Sequence, residues 1–235
     1  MCGRFALANI GQLSLRFDVD ATGENLTSRY NVAPSQQIPV IVGSPHGRAL
    51  RWMRWGYPPA RRAGEENAPP PINARAETLL DRPLFRQAVT SRRCLIPADG
   101  FYEWQAVPGT RQRQPYFIRL KTGALFAFAG LFAESRDLEG HPQPGCAIIT
   151  TTPNELVAPL HHRMPAILDR SWEVDWLDPN LTEGAAILGL LHPYSAEDME
   201  AYPVSNLVSA AYNEGPALIR PYVPIPPPVQ AALFT

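Results

Sequence analysis

Apolar residues in the first quarter of the chain recur at two spacings, which predict one short helix and a pair of strands. Residues 10–17 place apolar side chains at three- and four-residue intervals, as on one face of an amphipathic helix. Residues 37–42 and 49–55 are rich in β-branched and aromatic residues, and the turn-forming stretch 43–47 separates them. Residues 29–35 follow neither spacing and are predicted to form an irregular loop.

Helix-start signals predict several more short helices. The stretch 73–78 opens one helix, and Pro83 restarts another, because the fixed φ of proline suits the first turn of a helix. A capping-box pattern with proline at the first helical position predicts a helix over 152–160. Residues 171–177 and 182–191 each begin with a Ser or Thr cap and predict two further short helices.

Short runs of aromatic and β-branched residues predict a sheet from residue 93 onward. These strands are predicted at 94–97, 100–104, 115–120, 125–132 and 146–150. The 26 prolines of the chain disfavour long helices and long central strands. We therefore expect one α+β domain over residues 1–235, with a mostly antiparallel, barrel-like sheet and short peripheral helices. The Pro-rich tail, residues 208–235, is expected to pack along the surface of this domain.

Composition adds an uneven charge distribution to this picture. The apolar fraction of 45% suits a globular domain, and the net charge is −1. Between residues 48 and 119, however, thirteen arginines accompany six acidic residues, whereas residues 134–200 hold twelve acidic residues and three arginines. This asymmetry indicates a basic face that could follow a polyanion, and arginine binds phosphate through a planar fork of donors. A genome rich in G and C would also favour arginine over lysine.

Several function classes find no support in the sequence. The three cysteines are widely spaced, and HExxH is absent, so no metal site is expected. No glycine-rich phosphate loop and no dinucleotide-binding fingerprint occur, so no cofactor is expected. The longest apolar run, 124–133, is too short to span a bilayer, and no signal peptide is recognisable. We expect a cytoplasmic monomer that does not bind membranes.

The first residues of the chain carry unusual chemistry. Cys2 is small enough for Met1 to be removed, which would leave a free α-amine and a thiol on one residue. The reference pKa values of these groups are about 8 and about 8.5, so each is partly nucleophilic at neutral pH. The amine can attack an aldehyde to give a Schiff base, and the thiol can close onto the same carbon to form a thiazolidine ring. The alternative is that Cys2 is an incidental residue in a frayed terminus.

Three internal stretches also place reactive side chains in unusual positions. Glu103 interrupts an apolar strand, where burial would raise its pKa toward the range for proton transfer; alternatively, it faces solvent on an edge strand. His161 and His162 follow a predicted helix, and their side chains are expected to diverge so that only one faces a site; alternatively, both lie in a surface loop. Asn73 begins the stretch 73–78, either as a functional amide or as a simple helix cap.

Six sequence blocks, taken together in this order, resemble the SRAP family, the SOS response-associated peptidases that process abasic sites in DNA. Each block alone is weak evidence for the family, but six blocks in the right order are highly specific for it. The resemblance extends from residue 2 to about residue 207. The blocks are CGRF (2–5), RYNVAP (29–34), RWG (54–56), NARAET (73–78), RCLIPA through FYEW (93–104) and HHRMP (161–165).

The resemblance implies a cleft for single-stranded DNA that is lined by a mature, N-terminal Cys2. By motif register it implies that Cys2 forms the crosslink and that Asn73, Glu103 and His161 assist. Asn73 would hold the amine or the substrate, Glu103 would move protons, and His161 would help to open the deoxyribose ring. The residues that would contact DNA are Gly3, Arg4, Asn31, Pro34, Trp55, Arg75, Trp104, Thr150 and Arg163.

Two kinds of DNA contact are expected within that set. Arg4 and Arg75 would bind phosphates, and Trp55 and Trp104 would offer faces for base stacking. The chain departs from the family at Pro58-Pro59, where the family often has another tryptophan.

The implied function is a DNA-damage response. Cys2 would form a covalent thiazolidine with the ring-opened aldehyde of an abasic site in single-stranded DNA, with strand-nicking lyase activity as a side reaction. The expected partner is single-stranded DNA that contains abasic sites, and the expected location is the cytoplasm, at the nucleoid when the protein is bound to damaged DNA. One alternative is an N-terminal-nucleophile cysteine peptidase or amidohydrolase, whose activity could include removal of Met1. Another is a non-catalytic single-strand binder.

Overall fold

The computed structural model describes residues 2–58, 69–136 and 139–222, which form two β-sheets with short helices at the periphery. The strands are β1 (Phe5–Leu7), β2 (Arg29–Val32), β3 (Gln37–Ser44), β4 (Gly47–Trp55), β5 (Asn73–Arg75), β6 (Arg93–Ala98), β7 (Gly100–Ala106), β8 (Arg113–Leu120), β9 (Phe126–Ala133), β10 (Gly145–Thr151), β11 (Met164–Pro165), β12 (Ile167–Leu168) and β13 (Met199–Pro203). The helices are α1 (Leu13–Phe17), α2 (Pro83–Ser91), α3 (Glu173–Leu177) and α4 (Gly184–Gly189), with 3₁₀ turns at Ile10–Gln12, Ala76–Thr78, Arg170–Trp172, Ala196–Asp198, Asn206–Ser209 and Pro216–Ile219.

The two sheets differ in closure. The five-stranded sheet is antiparallel in the order β13-β8-β7-β1-β2, so β1 lies between β7 and β2. The larger sheet runs β11-β10-β4-β3-β6-β9-β12, and β5 also pairs with β10. A further pairing of β10 with β9 closes β10, β4, β3, β6 and β9 into a ring, so we call it the ring sheet. Among the described strands only the pairs of β10 with β4 and with β5 are parallel, which confirms the predicted α+β class with a mostly antiparallel sheet. The sheet predicted as barrel-like is the ring sheet.

Aromatic side chains join the two sheets around β1. Phe5 packs edge-on against Trp55 and Phe128 of the ring sheet, with ring centroids 5.2 and 5.8 Å apart. Phe128 also contacts Phe101 and Phe126, at 6.1 and 5.3 Å. All five side chains are at most 2% exposed, and burial of one such side chain contributes roughly 1.5–3 kcal/mol. This packing fixes β1 and the residues just before it against the ring sheet.

Most of the predicted elements are present. The predicted hairpin corresponds to β3 and β4, and the five strands predicted from residue 93 onward correspond to β6–β10. The helix predicted over 10–17 is a 3₁₀ turn followed by α1, and the helices predicted at Pro83, 171–177 and 182–191 contain α2, α3 and α4. The α4 cap is Glu183, whose carboxylate accepts two backbone N–H groups of the first turn.

Three local predictions are wrong. Residues 29–35, predicted as a loop, contain β2, and residues 73–75, predicted to open a helix, form β5. Of residues 152–160, predicted as a helix, 155–160 form consecutive turns and 152–154 are irregular. Pro159 has no N–H to continue a helical ladder, and the side chain of Asn154, not of the predicted cap, accepts a backbone N–H three residues on, at 2.9 Å.

The last described part of the chain packs on the five-stranded sheet. We call residues 205–222 the C-terminal segment. Its Val208 and Leu218 are buried in a cluster with Tyr102 and Phe117. The predicted removal of Met1 and the end of the predicted tail fall outside the described residues. No helix in the described ranges is both long and apolar enough to cross a membrane.

Candidate active site

Cys2 lies against β5 through a hydrogen bond of its backbone. The side chain of Asn73 donates from Nδ2 to the carbonyl oxygen of Cys2 at 2.9 Å. The local fold sets this position, because Asn73 is opposite Ile148 of β10 and the indole N–H of Trp55 donates to the carbonyl of Ile72 at 3.0 Å. The Oδ1 atom of Asn73 is buried and has no hydrogen-bond partner among the described residues. One end of the amide thus holds Cys2, and the other end can accept a hydrogen bond.

Glu103 lies on β7 beside the first residues of the chain. Phe5 pairs with Phe101 in antiparallel register, and the N–H of Tyr102 donates to the carbonyl of Arg4 at 3.0 Å. Continuing this register places Glu103 next to the residues that precede β1. Glu103 is 3% exposed, and burial raises its pKa to about 7, against the opposing effect of the positive charge at the amino terminus. A carboxyl with this pKa can both accept and donate a proton near neutral pH.

The thiol of Cys2 is kept neutral by its surroundings. Cys2 is fully buried, and burial raises the pKa of the thiol well above its ordinary value, with a further rise from the nearby Glu103 carboxylate. Sγ lies 4.0 Å from the carbonyl oxygen of Arg4. Burial therefore opposes the partial ionisation at neutral pH that the sequence predicts for this thiol. A reaction of the thiol requires a neighbouring base, and Glu103 is close enough to influence its charge.

His161 is held by the backbone of Arg163. Its Nδ1 lies 3.0 Å from the N–H and 3.2 Å from the carbonyl oxygen of Arg163. Burial lowers the pKa of His161, and the positive charge at the amino terminus lowers it further. The rings of His161 and His162 stack with centroids 4.3 Å apart, so the prediction that they diverge is wrong. His162 is exposed and His161 is half-buried.

Arg163 supports this loop from inside the protein. Its guanidinium binds both carboxylate oxygens of Glu77 and donates to the carbonyl of Thr150 at 2.5 Å. The hydrogen bond from Arg163 lowers the pKa of Glu77. Arg163 and Thr150 are buried and turned toward protein partners, which departs from the prediction that both contact DNA. Glu77 was not predicted as a site residue, although its place in the block 73–78 was an available signal.

Asn31 joins Arg4 to the C-terminal segment. Its Oδ1 accepts from Nη1 of Arg4 at 2.8 Å, and its Nδ2 donates to the carbonyls of Ala210 and Asn213 at 3.0 and 2.9 Å. Nη1 of Arg4 also donates to the carbonyl of Val208 at 2.8 Å. Asn31 is 0% exposed, so the structure corrects the prediction of a direct DNA contact and places Asn31 as a support for Arg4.

The predicted stacking residues Trp55 and Trp104 have different environments. Trp55 is fully buried against Phe5, so it has no exposed face for a base, and the prediction of stacking there is wrong. Trp104 is half-buried, donates from Nε1 to Ser209 at 3.0 Å and lies 6.0 Å from the guanidinium of Arg4. The residues of the predicted DNA-contact set that keep exposed surface are Gly3, Arg4, Pro34, Arg75 and Trp104.

The other two cysteines differ from Cys2 in their neighbours. Cys94 and Cys146 are fully buried in the ring sheet, and burial raises the pKa of both thiols. Glu103 contributes to the pKa shift of the Cys2 thiol, whereas no carboxylate of the described residues contributes to the shift of these two. A buried thiol without a neighbouring base is unreactive. In the described part of the chain, no group of three or more His, Cys, Asp or Glu side chains is arranged to hold a metal ion.

Comparison with known families and proteins gives concordant matches. A family model described as SOS response associated peptidase (SRAP) matches residues 1–211. The chain is similar to the abasic site processing protein YoqW of Bacillus subtilis (strain 168), with 45% identity over 224 residues that cover 94% of this chain and 99% of YoqW. It is also similar to the abasic site processing protein HMCES of Pongo abelii, with 32% identity over 236 residues that cover 82% of this chain and 64% of HMCES.

Solved structures share the same fold. A protein from Bacteroides thetaiotaomicron superposes with a TM-score of 0.83 at 27% identity, covering 94% of this chain and all of that chain. A phage-related protein from Bordetella bronchiseptica superposes with a TM-score of 0.69 at 28% identity, covering 91% of this chain and 99% of that chain.

Proposed function

Because the chain belongs to the SOS response-associated peptidase (SRAP) family, we propose that it processes abasic sites in DNA through a covalent reaction of Cys2. Its relatives YoqW and HMCES are named abasic site processing proteins. The observation that supports the proposal most is the environment of Cys2. Asn73 holds its carbonyl at 2.9 Å, and Glu103, with a pKa of about 7, lies beside it.

The proposed reaction begins once hydrolysis removes Met1 and frees the α-amine of Cys2. The amine adds to the aldehyde of the ring-opened abasic site, and loss of one water gives a Schiff base. The thiol then adds to the same carbon while its proton passes to the imine nitrogen, which closes a thiazolidine ring. Glu103 would accept a proton from the amine and relay the proton of the buried thiol.

His161 is proposed to open the sugar ring. An abasic deoxyribose is mostly a cyclic hemiacetal, so the aldehyde appears only after a proton leaves its hydroxyl and another reaches the ring oxygen. In the tautomer whose Nδ1–H donates to the carbonyl oxygen of Arg163, at 3.2 Å, Nε2 carries a lone pair, so exchange of a proton with the sugar falls to Nε2. The lowered pKa keeps the imidazole neutral near pH 7, where it can accept the first proton.

Single-stranded DNA would be held on the exposed side of this cleft. Arg75 is exposed and makes no side-chain hydrogen bond with any described residue, so its guanidinium can bind a phosphate. Arg4 and Trp104 lie together, and the indole offers a face on which a base can stack.

Peptidase chemistry is less well supported than aldehyde capture. An N-terminal-nucleophile hydrolase attacks an amide with a thiolate, and burial raises the pKa of the Cys2 thiol. An iminium carbon is a stronger electrophile than an amide, and it can be attacked as a nearby base removes the thiol proton. Strand-nicking lyase activity would arise from the same Schiff base by β-elimination.

The central test compares an oligonucleotide containing one abasic site with the same oligonucleotide left intact. Protein whose intact mass shows loss of Met1 should give an adduct that survives denaturation on the abasic strand alone. Cys2→Ser keeps the amine but loses ring closure, so without a reductant it should give no stable adduct. A stable adduct from Cys2→Ser, or from protein that fully retains Met1, would refute the thiazolidine reaction. Peptide cleavage without an adduct would favour the hydrolase, and reversible binding to both strands would favour a simple binder.

A second test separates His161 from its stacked neighbour. His161→Ala should slow adduct formation on an abasic site by ~10²–10⁴-fold, the usual contribution of a general acid–base group. It should slow capture of a small aldehyde much less, because that substrate needs no ring opening. His162→Ala is the matched control and should react at nearly the rate of the unmodified protein. A slower reaction of His162→Ala than of His161→Ala would show that the motif register is wrong.

A further inference from the structure

A depression lined by two arginines lies at the end of β4, where β10 begins. Its volume is about 240 Å³. The lining residues that matter here are Arg54, Gly56, Ser135, Arg136, Gln143 and Gly145. Two guanidinium groups, a hydroxyl and an amide line this space, and no acidic residue of the described ranges lines it. We call it the arginine depression. Its chemistry suits an anion with several oxygen atoms, such as a phosphate group.

The floor of the arginine depression is backbone. The N–H of Arg54 donates to the carbonyl of Pro144, and the N–H of Gly56 donates to that of Cys146, both at 2.9 Å. A Cβ atom on Gly145 would overlap the carbonyl oxygen of Gly56, so no other residue fits at position 145 without a shift of the backbone. The two strands therefore approach closely, and the side chains of Pro58 and Pro70 lie next to Gly145 and Gly56.

Arg54 has hydrogen-bonding capacity that its described surroundings do not use. Its Nε is buried without a partner among the described residues, and its guanidinium forms no ion pair with any of them. A buried donor left in this state destabilises the fold, and a bound anion would offset that cost. Arg136 also lines this space; it is exposed and donates from Nη1 to the carbonyl of Gly140 at 2.6 Å. By contrast, Arg51, also on β4, binds both oxygens of Glu134 at 2.8 and 3.2 Å.

Strand β10 connects the arginine depression with the candidate active site. Gly145 lines the depression, and Ile148, three residues later, pairs with Asn73. At about 3.3 Å per residue, the two places are roughly 10 Å apart along the strand. A few nucleotides of single-stranded DNA span this distance.

We propose that the arginine depression binds a backbone phosphate of the strand whose abasic site reacts at Cys2. The subsite rests on the proposed function and extends it, because it fixes the strand on one side of the reacting nucleotide. Arg54 and Arg136 provide the positive charge and the hydrogen-bond donors for this phosphate.

The test measures non-covalent binding by Cys2→Ser protein, which does not close the thiazolidine. Three oligonucleotides each carry a stable tetrahydrofuran analogue of the abasic site. The first is short on both sides of the analogue, the second is extended on its 5′ side, and the third is extended on its 3′ side. Arg54→Gln and Arg136→Gln should each weaken binding about tenfold on one of the extended oligonucleotides, as expected for a charge-assisted hydrogen bond. On that oligonucleotide each should also lower the slope of log affinity against log salt by about 0.7. Binding of the short oligonucleotide should be unchanged.

The matched control is Arg51→Gln, which changes the net charge equally but removes an arginine already paired with Glu134. It should alter affinity by less than about twofold on every oligonucleotide. The thermal unfolding midpoints of all variants establish that the fold is retained.

Three results would overturn the subsite. The first is unchanged binding by both variants, and the second is equal weakening on all three oligonucleotides, which indicates a general charge effect. The third is a combined result with inorganic phosphate. Phosphate would stabilise the unmodified protein but not Arg54→Gln, while the two proteins bind the oligonucleotides equally well. The arginine depression would then bind free phosphate and not DNA. Crosslinking by the unmodified protein is measured separately, so loss of the subsite leaves the proposed function standing.

Discussion

The large cavity beside α3 and the candidate active site differ in how their charged groups are satisfied. The cavity has a volume of about 670 Å³ and is lined in part by Arg48, Arg51 and Arg93. Each of these arginines has partners within the protein. Arg48 binds Glu173 at 3.2 Å, Arg51 binds Glu134 at 2.8 Å, and Arg93 donates to three backbone carbonyls. The cavity is large, but its charges serve the fold.

The candidate active site holds polar groups at a cost to the fold. Glu103 is buried with its pKa raised to about 7, and the Oδ1 atom of Asn73 has no partner within the described residues. Buried polar groups are nearly always paired, and perturbed pKa values concentrate at functional sites. In this molecule the volume of a cavity is therefore a poor criterion for locating the functional site. Burial of polar groups at a cost in stability is a better criterion.

The largest expected effect is on the rate of adduct formation by Glu103→Gln. Glutamine keeps the shape of the side chain but cannot transfer a proton, so the rate should fall by ~10²–10⁴-fold. Glu173→Gln makes the same chemical change beside the large cavity and should leave the rate unchanged. The measurement is the time course of the denaturation-resistant adduct at a temperature where both variants are folded. Equal rates in the two variants would remove the functional contrast between the two regions.

The next effect is on stability, and here Glu173→Gln should be the more damaging change. Glu173 is buried and binds Arg16 at 2.6 Å and Arg48 at 3.2 Å. Its removal leaves two largely buried guanidinium groups without their carboxylate, which should cost about 3–5 kcal/mol in the free energy of unfolding, measured with denaturant. Glu134→Gln is the control, because its pair with Arg51 is exposed and should contribute less than about 1 kcal/mol. Similar losses in both variants would contradict the structural role of Glu173.

A smaller effect should appear in the pH dependence of stability. The pKa of Glu103 rises from 4.5 to about 7 on folding, so its contribution to stability is full below pH 4.5 and is lost as the pH rises through 7. The loss is at most about 3 kcal/mol, at about 1.4 kcal/mol per pH unit. Glu103→Gln has no such loss, so its melting temperature relative to the unmodified protein should increase between pH 4.5 and pH 8. A difference that stays constant with pH would show that burial does not raise this pKa.

The smallest effect concerns the support of Arg4. Asn31→Ala removes the oxygen that accepts from Nη1 of Arg4, which should weaken non-covalent binding to single-stranded DNA about tenfold. At saturating DNA the rate of adduct formation should be nearly unchanged, since Glu103 and His161 are intact. Asn31→Asp keeps the acceptor and should recover part of the affinity. A fall in the saturated rate with no change in affinity would contradict a positioning role.

Local sequence patterns predicted the strands and helices whose own residues favour that structure. They missed the strands that form only because they pair with another strand. The strands β6–β10 have apolar runs long enough to be recognised, whereas Arg29–Val32 and Asn73–Arg75 are short and polar. These two become strands because Phe5 pairs with Val32 and because Ile148 of β10 pairs with Asn73. No local pattern contains such pairings.

The candidate site shows the same limit. Motif order pointed to Cys2, and Asn73 does hold its backbone. The direction of a side chain was not predictable, because Trp55 shares its block with the half-exposed Arg54 and is itself fully buried. The partner of Arg163 is 86 positions away in sequence, so a predicted DNA contact proved to be an internal ion pair with Glu77.

The position of the C-terminal segment has a consequence for the timing of synthesis. Arg4 and the carbonyl of Val208 that holds it are 204 positions apart, and Glu214 holds Arg29 through its carboxylate. A ribosome adds roughly 5–20 residues per second, so this side of the cleft is completed on the order of 10–40 s after Cys2 is made. In a nascent chain Cys2 is therefore present long before the C-terminal segment supports Arg4. The proposed capture of DNA would be confined to chains whose translation has passed residue 214.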